Sequence, residues 1–390
     1  MNTKLKNAEK RLYRWWRFFQ TFLARFVVRR FNINAEICDV EGPCIVVSNH
    51  VTSWDPLLLA LSFPRKNLHY VASEHIFRLG LFSKFLLWVA DPIPRRKATT
   101  AADTVMACLR RIRAGGSVCV FAEGDASWNG VTGDILPATG KMVRASGATL
   151  ITFRLEGGYL SLPRWSKVFR KGKMCGHAVG IYKPEQLKAM KPEEINSVIS
   201  RDIYEDAWAR QEKEHIAYKG SNRAVGIEKG LFMCPKCRSI DTLKGVGDLV
   251  RCSCGFNVSF TDEGFFDPPA PFKTFLAWDL WQMDELKNSS PECTEVLFSD
   301  DSLTLTRIGN DHKEYELGCG KLEQHKNAIE IAGRRFELKD ISGMAMVKAN
   351  ILLFSVADEY YEIRSEAPRC LRKYLAVWKS GKSAVGSIIA

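Results

Sequence analysis

The sequence lacks several features that would send a chain out of the cytoplasm or through a bilayer. Its N-terminus has neither an uninterrupted apolar core nor a small-residue cleavage site, so we expect no secretory signal peptide. The longest charge-free run in residues 1–30 is 18–24, far short of the roughly 20 residues that a spanning helix needs. Apart from one group of four, its 12 cysteines show no spacing typical of a disulfide framework, which indicates a reducing compartment. These absences together predict a protein on the cytoplasmic side.

Acidic residues are also scarce at the N-terminus, where cations and aromatic side chains dominate. Residues 1–30 hold nine Lys or Arg against one acid, Glu9. Large apolar side chains recur there at helical spacing: Leu12, Trp15, Trp16, Phe19, Phe22, Leu23, Phe26 and Val27. The pattern predicts an amphipathic helix over residues 1–36 that lies in the plane of a membrane interface. A helix docked on the protein's own core remains an alternative, whereas a nucleic-acid-binding arm is disfavoured because such arms need charge without large apolar groups.

A histidine and an aspartate at a predicted strand-to-helix corner form the first chemical motif. Residues 44–48 are apolar and largely β-branched, typical of a buried strand, and Pro56 begins a helical pattern that Ser53 is placed to cap. Asp55 falls near the positive end of that helix, where a carboxylate is favoured. An ionised Asp55 can orient His50, which could then remove a proton from a hydroxyl group. The same spacing also occurs by chance in many proteins, so a second motif must support this interpretation.

That second motif is residues 121–127, which follow another apolar strand, 117–120, and contain Glu123 and Gly124. Ligands of α/β sheets bind at the edge where such strands end. In order and separation the two motifs resemble those of the glycerophospholipid acyltransferase family, which includes the lysophosphatidic acid acyltransferases. The resemblance covers roughly residues 37–215, and the residues that match the family are His50, Asp55, Arg95, Glu123 and Gly124.

The chain departs from the family pattern at four positions of these motifs. The family's Pro, Thr and Arg after the second strand are replaced by Ala122, Asp125 and Ala126, and the Pro of the last motif by Thr152. The missing arginine is usually assigned to phosphate binding. Cations that could replace it are Lys141, Arg144, Arg154 and Arg164, among which Arg154 is favoured because it ends an apolar strand.

The resemblance implies a direct acyl transfer from a thioester donor, acyl-CoA or acyl carrier protein, to lysophosphatidic acid. His50 is then the general base, Asp55 orients it, and Arg95 binds the phosphate. Glu123 holds the acceptor hydroxyl or the loop itself, and Gly124 lets the backbone come close. An acyl-enzyme on Cys119 is the competing mechanism, disfavoured because a thiol inside an apolar strand has a raised pKa.

Between the motifs, strand and helix patterns alternate, which predicts an α/β domain over residues 37–217 with a sheet flanked by helices. Helices are expected at Leu81–Ala90, 100–113 and 192–211, and the first of them either lines an acyl-chain channel or belongs to the core. A polar linker, 218–230, precedes a predicted zinc ribbon over residues 231–265. Its proposed ligands to structural Zn²⁺ are Cys234, Cys237, Cys252 and Cys254, with a dithiol redox role as the alternative.

Residues 290–385 show short alternating runs separated by turn signals and end in one helical stripe. They predict a small all-β domain with a C-terminal helix, similar in pattern to a pleckstrin-homology domain. Two other functions stay open besides a peripheral acyltransferase at the cytoplasmic face of a membrane. One is a nucleic-acid-binding ribbon protein, suggested by the net charge of +12 and pI of 9.1. The other is an inactive lipid-binding scaffold, suggested by the altered second motif.

Overall fold

The computed structural model describes residues 32–78, 80–99, 101–288, 296–309 and 311–386, together with Trp15, Phe22, Phe26 and Val28. Two compact units divide the chain. The first comprises residues 1–96, 100–164 and 169–220, and the second comprises 97–99, 165–168 and 221–390. Most of the predicted interfacial helix lies outside the described residues. Its last residues differ from the prediction, because Ile33–Ala35 pair as a strand with Met174–Gly176.

Within its described residues, the first unit is an α/β domain, as predicted. Its strands are β1 (Ile33–Ala35), β2 (Cys44–Ser48), β3 (Leu68–Ser73), β4 (Ile93–Arg95), β5 (Ser117–Phe121), β6 (Thr149–Glu156) and β7 (Met174–Tyr182). Its helices are α1 (Asp55–Ser62), α2 (Leu81–Ala90), α3 (Ala102–Arg113), α4 (Ala138–Ser146), α5 (Gly158–Ser161), α6 (Pro184–Ala189), α7 (Pro192–Ile203) and α8 (Ala207–Glu214).

The strands form one sheet in the order β1-β7-β6-β2-β5-β3-β4. β2 lies parallel to both β5 and β6, and β3 lies parallel to both β5 and β4, whereas β7 is antiparallel to β6. The carboxyl ends of β2 to β6 therefore meet at one edge. Loops that leave a parallel sheet at this edge are where α/β proteins place their functional side chains.

Successive side chains of β2 pack on opposite faces of the sheet, and helices cover both faces. Val46 packs on one side with Leu58 and Phe63, at and just beyond α1, while Ile45 and Val47 pack on the other with helices α3, α4 and α7. Successive side chains of a strand point to opposite faces, so a parallel strand with helices on both sides must be apolar throughout. Every residue of β2 is buried, as the sequence predicted.

Two local predictions are wrong, and both concern the residue that caps the N-terminus of a helix. Ser53 does not cap α1; Trp54 occupies the N-cap position, and the Thr52 hydroxyl accepts the Trp54 backbone N–H at 3.1 Å instead. The helix predicted over residues 192–211 is two helices, α7 and α8. Asp206 begins the second by accepting the N–H groups of Trp208 and Ala209, and its own extended backbone interrupts the helical pattern.

The described part of the second unit holds two antiparallel sheets. The smaller sheet has the order β11-β10-β9-β8 and the larger β15-β14-β13-β12-β18-β17-β16. Their strands are β8 (Leu243–Val246), β9 (Leu249–Cys252), β10 (Asn257–Phe260), β11 (Phe266–Asp267), β12 (Val296–Ile308), β13 (Glu314–His325), β14 (Ala328–Ile331), β15 (Arg334–Glu337), β16 (Ile341–Val347), β17 (Ile351–Val356) and β18 (Glu359–Ser365). Helices α9 (Phe275–Asn288) and α10 (Arg372–Gly386) complete the unit.

Residues of the predicted linker 218–230 are not simply solvated. Tyr218, Ala224 and Ile227 are buried, and residues Ile227–Lys229 form a turn of 3-10 helix.

Among the residues that the structure describes, none of the helices combines the length and the apolar content required to span a bilayer.

Candidate active site

The loop after β2 presents His50 on a carboxylate that is completely buried. Asp55 Oδ2 lies 2.7 Å from His50 Nδ1 and also accepts the backbone N–H groups of Val51 and Thr52, at 2.6 and 2.9 Å. The Thr52 hydroxyl donates to Asp55 Oδ1 at 2.7 Å. With these donors converging on it, Asp55 is an acceptor toward the imidazole, so we assign the histidine proton to Nδ1. The lone pair on Nε2 is then available to accept a proton from a substrate.

Two further contacts orient the His50 ring and its loop. The imidazole stacks on Phe121, the last residue of β5, with ring centroids 4.3 Å apart. Asn49, fully buried, donates from Nδ2 to the Leu155 carbonyl and accepts the Leu155 N–H at Oδ1, both at 2.8 Å. Asn49 thereby ties the loop to β6 with a paired amide contact. The sequence motif did not single out this residue, because its partner is 106 positions away.

Glu123 receives two backbone N–H groups, one on each oxygen. His50 donates to Oε1 and Gly133 to Oε2, each at 2.7 Å, while Ser127 N–H donates to the His50 carbonyl at 2.8 Å. The sequence left two roles open for Glu123, holding the acceptor hydroxyl or holding the loop. These contacts favour the role of holding the loop. Gly124 has a φ of +73°, which favours glycine and lets the chain turn immediately after the carboxylate.

Burial raises the pKa of Glu123 to about 8, although the N–H groups of Gly133 and His50 lower it. A carboxyl group whose pKa is higher in the folded than in the unfolded chain stabilises the fold fully below its unfolded pKa, and that contribution is lost as the pH rises through the folded pKa. The stability advantage of the wild-type chain over Glu123→Gln should therefore be largest at about pH 4 and shrink toward about pH 9. Urea unfolding of both chains across this range measures it, and a constant difference would contradict the assignment.

The structure places the predicted phosphate ligands at different distances from this loop. Arg95 ends β4 at the same sheet edge, three strand spacings from β2, or about 14 Å. Its Nη1 donates to the carbonyl of Arg96. Arg154 lies on β6 and donates from Nε to the Asp202 carbonyl at 2.9 Å. Arg144 donates to the Lys188 carbonyl at 3.3 Å, away from the motif.

Arg164 is the cation that contacts the altered second motif. Its Nη1 lies 2.6 Å from Asp125 Oδ1 and 3.0 Å from the Ala126 carbonyl, and its guanidinium sits 4.2 Å from the centroid of the Trp128 ring. The side chain is only 6% exposed. A guanidinium therefore lies against the position at which the family pattern has an arginine, but it is supplied by a residue 38 positions further along the chain.

Removing this guanidinium should weaken catalysis through the loop. Arg164→Ala removes the guanidinium that contacts the Asp125 carboxylate and the Ala126 carbonyl. We therefore expect kcat/KM to fall roughly 10- to 100-fold. Arg164→Lys should restore little, since an ammonium cannot reproduce the contact of the planar guanidinium with the Trp128 ring. Adding Ala126→Arg to Arg164→Ala should recover part of the loss, whereas Arg144→Ala serves as the control and should match the wild type. Wild-type kinetics in Arg164→Ala would refute the role.

Cys119 shows none of the properties of a nucleophile. It is fully buried on β5, and burial raises its pKa well above the ordinary value for a thiol. A thiol kept protonated and out of reach of solvent cannot attack a thioester.

Four cysteines of the second unit come together as a candidate metal centre. The sulfur atoms of Cys234, Cys237, Cys252 and Cys254 all lie within 4.8 Å of one another. The Cys234–Cys254 and Cys237–Cys252 sulfur pairs are 3.8 and 3.7 Å apart. A tetrahedral Zn²⁺ with bonds of about 2.3 Å requires sulfur separations of about 3.8 Å, so this donor set fits zinc.

Comparison with known proteins agrees with the chemistry of the first unit. The sequence model of the Acyltransferase family matches residues 27–156, which carry both motifs. Among solved structures, the chain is similar in part to the crystal structure of the 1-acyl-sn-glycerophosphate (LPA) acyltransferase, PlsC, from Thermotoga maritima. That match has 16% identity and a TM-score of 0.37, and it covers 52% of this chain and 82% of that chain. No curated protein matches the chain. The family match over residues 27–156 confirms the expectation of an O-acyltransferase.

Proposed function

We propose that the chain transfers a fatty acyl group from a thioester donor, acyl-CoA or acyl carrier protein, to the free hydroxyl of lysophosphatidic acid. The product is phosphatidic acid, an intermediate of phospholipid synthesis. The observation that carries this proposal is the contact of 2.7 Å between His50 Nδ1 and the buried Asp55, which leaves Nε2 as a base. The histidine side chain is 23% exposed, so its ring is accessible from solvent.

The proposed reaction is a single displacement. His50 Nε2 accepts the proton of the glycerol hydroxyl while the oxygen of that hydroxyl forms a bond to the thioester carbonyl carbon. The carbon–sulfur bond then breaks, and the imidazolium returns its proton to the leaving thiolate. Asp55 stabilises the imidazolium that exists between these two steps. The active base is therefore regenerated without any covalent intermediate on the protein.

Arg95 is the proposed ligand of the acceptor phosphate. A guanidinium binds two phosphate oxygens at once, and Arg96 and Lys97 follow it in the sequence. The carboxyl edge of the sheet offers the remaining proposed contacts, from Gly124 and Arg154. Glu123 acts on this proposal through the loop that bears His50 rather than through the substrate.

The remaining parts of the chain have supporting roles in the proposal. The N-terminal segment that precedes β1 holds the enzyme on the cytoplasmic face of a membrane, where its lipid acceptor resides. Zinc in the four-cysteine site is structural, because four thiolates fill its coordination sphere and leave no open position. The order of β12 to β18, two meanders joined through β12 and β18, together with α10, supports the resemblance to a pleckstrin-homology domain. No nucleic-acid partner is proposed.

The acceptor is tested by offering the purified protein one acyl-CoA with lysophosphatidic acid, glycerol-3-phosphate or lysophosphatidylcholine. We expect the highest kcat/KM with lysophosphatidic acid, because it alone combines a free glycerol hydroxyl, a phosphate monoester and an acyl chain. A higher value with either of the other acceptors would reassign the substrate. A mass increase of one acyl group on the protein, seen without acceptor, would replace the single displacement by an acyl-enzyme.

A further inference from the structure

Helix α2 presents apolar side chains to solvent along one face. Leu81 is 82% exposed and Trp88, seven residues later and so on nearly the same face, is 43% exposed. Leu87 beside it is also exposed. The sequence left open whether this helix lines an acyl-chain channel or joins the core, and these three side chains face solvent rather than the core. Soluble proteins seldom group large exposed apolar residues unless the group binds something.

Aromatic residues of the N-terminal segment adjoin this face. Trp15 packs against Trp88 with ring centroids 5.6 Å apart, and both rings nevertheless remain about half exposed. Phe22 and Phe26, also helical, are more exposed still. The contact places Trp15 and Trp88 side by side in one apolar surface. We call the set Trp15, Leu81, Leu87 and Trp88 the α2 face.

Positive charges predominate on helix α2 and in the N-terminal segment, and Asp91, which follows the helix, is paired with Arg111. Helix α2 contains no acidic residue, and its charged member, Lys84, is exposed on the same stripe as Leu81 and Trp88. Residues 1–30 add nine cations against one acid. Tryptophan with surrounding Lys and Arg is the combination that settles at the headgroup level of an anionic bilayer.

We propose that α2 is a second membrane-contact element, which inserts Leu81, Leu87 and Trp88 into an anionic lipid surface beside the N-terminal segment. This inference rests on the proposed function for its purpose and adds to it a membrane contact within the catalytic unit itself. Because β3 leads through Glu74–Arg78 into α2, the N-terminal end of α2 follows the carboxyl end of a strand. That is the sheet edge at which His50 lies, so the inserted helix begins on the side where a lipid acceptor must enter.

The decisive test is vesicle binding by Leu81→Ser/Trp88→Ser in the full-length protein. In sedimentation with vesicles of equal parts phosphatidylcholine and phosphatidylglycerol, we expect the double variant to bind at least about tenfold more weakly than the wild type. Ile181→Ser, at an equally exposed apolar site on β7, is the matched control and should bind like the wild type. Lys84→Glu should weaken binding to these vesicles but not to pure phosphatidylcholine vesicles, because it alters only charge.

Activity on a short-chain, monomeric lysophosphatidic acid with a short-chain acyl-CoA separates this inference from the proposed function. The double variant should retain that activity within about twofold, since only the membrane contact is lost. Unchanged vesicle binding by the double variant would overturn the inference. A loss of activity on the monomeric substrate as large as the loss of vesicle binding would also overturn it, because α2 would then be an acyl-chain site. A change in the oligomeric state of the double variant would overturn it as well, because α2 would then be a subunit interface. A wild-type chain that binds vesicles but transfers no acyl group would contradict the proposed function and leave the membrane contact of α2 standing.

Discussion

His50→Ala should lower kcat for acyl transfer by a factor of about 10² to 10⁴, the range that a positioned general base contributes. The variant should still fold, because Asp55 keeps its bonds from Val51, Thr52 N–H and the Thr52 hydroxyl. KM for both substrates should change little, since the imidazole acts on the proton in the transition state rather than on the bound lipid. Steady-state kinetics on the purified variant measure both quantities.

The matched control for this substitution is His177→Ala, at another partly exposed histidine of the first unit. It lies on β7, opposite Arg154 in the strand pairing, and β6 separates it from β2. Its kinetics should equal those of the wild type. A His50→Ala protein with a kcat within a few-fold of the wild type would remove His50 from the chemistry, whatever its distance from Asp55.

Loss of the metal should destabilise the second unit rather than the catalytic loop. Structural zinc contributes roughly 10 kcal/mol or more of binding free energy in small cysteine sites, and that energy is unavailable to the unfolded chain. Cys252→Ser, or removal of zinc by a chelator, should therefore lower the melting temperature of this unit by about 10 °C or more. Metal analysis of the wild type should find one zinc per chain.

The packing around the cysteines explains why the effect should spread. Asp241, shortly after the first cysteine pair, contacts the fully buried Lys373 of α10, and the Lys373 ammonium lies 2.8 Å from Asp300 of β12. Loosening the ribbon removes one of the two carboxylates that neutralise a buried cation, which is costly in a low-dielectric interior. Cys319→Ser, at an exposed cysteine of β13, is the control and should keep both metal and stability. A wild-type chain without bound metal, or a Cys252→Ser chain of unchanged stability, would refute a structural zinc.

Features that depend on neighbouring residues were predictable from the sequence. The apolar alternation of residues 44–48 predicted a buried strand, and the short spacing of His50 and Asp55 predicted their contact, since a strand-to-helix corner brings such positions together. The α/β class followed from the alternation of strand and helix patterns. Similarly, the spacing of the cysteine pairs predicted that four sulfur atoms converge.

Features that depend on tertiary pairing were not predictable in the same way. Asn49 meets Leu155, and Arg164 meets the Asp125 loop, across separations in sequence over which no periodicity carries information. The sequence favours Arg154 as the substitute for the missing arginine because an apolar run ends there. In the structure β6 continues to Glu156, and the Arg154 side chain donates to the Asp202 carbonyl. The split between α7 and α8 depends on one cap, Asp206, within an otherwise continuous helical pattern.

The central claim is that this chain acylates a lysophospholipid hydroxyl with His50 as base. Its most direct test is the rate of phosphatidic acid formation by the purified protein, measured by mass spectrometry with acyl-CoA and lysophosphatidic acid, beside His50→Ala at the same concentration. We predict product that accumulates with the wild type, requires both substrates, and is reduced to near background by the substitution. No acylated product from the wild type, or equal product from both proteins, would contradict the claim.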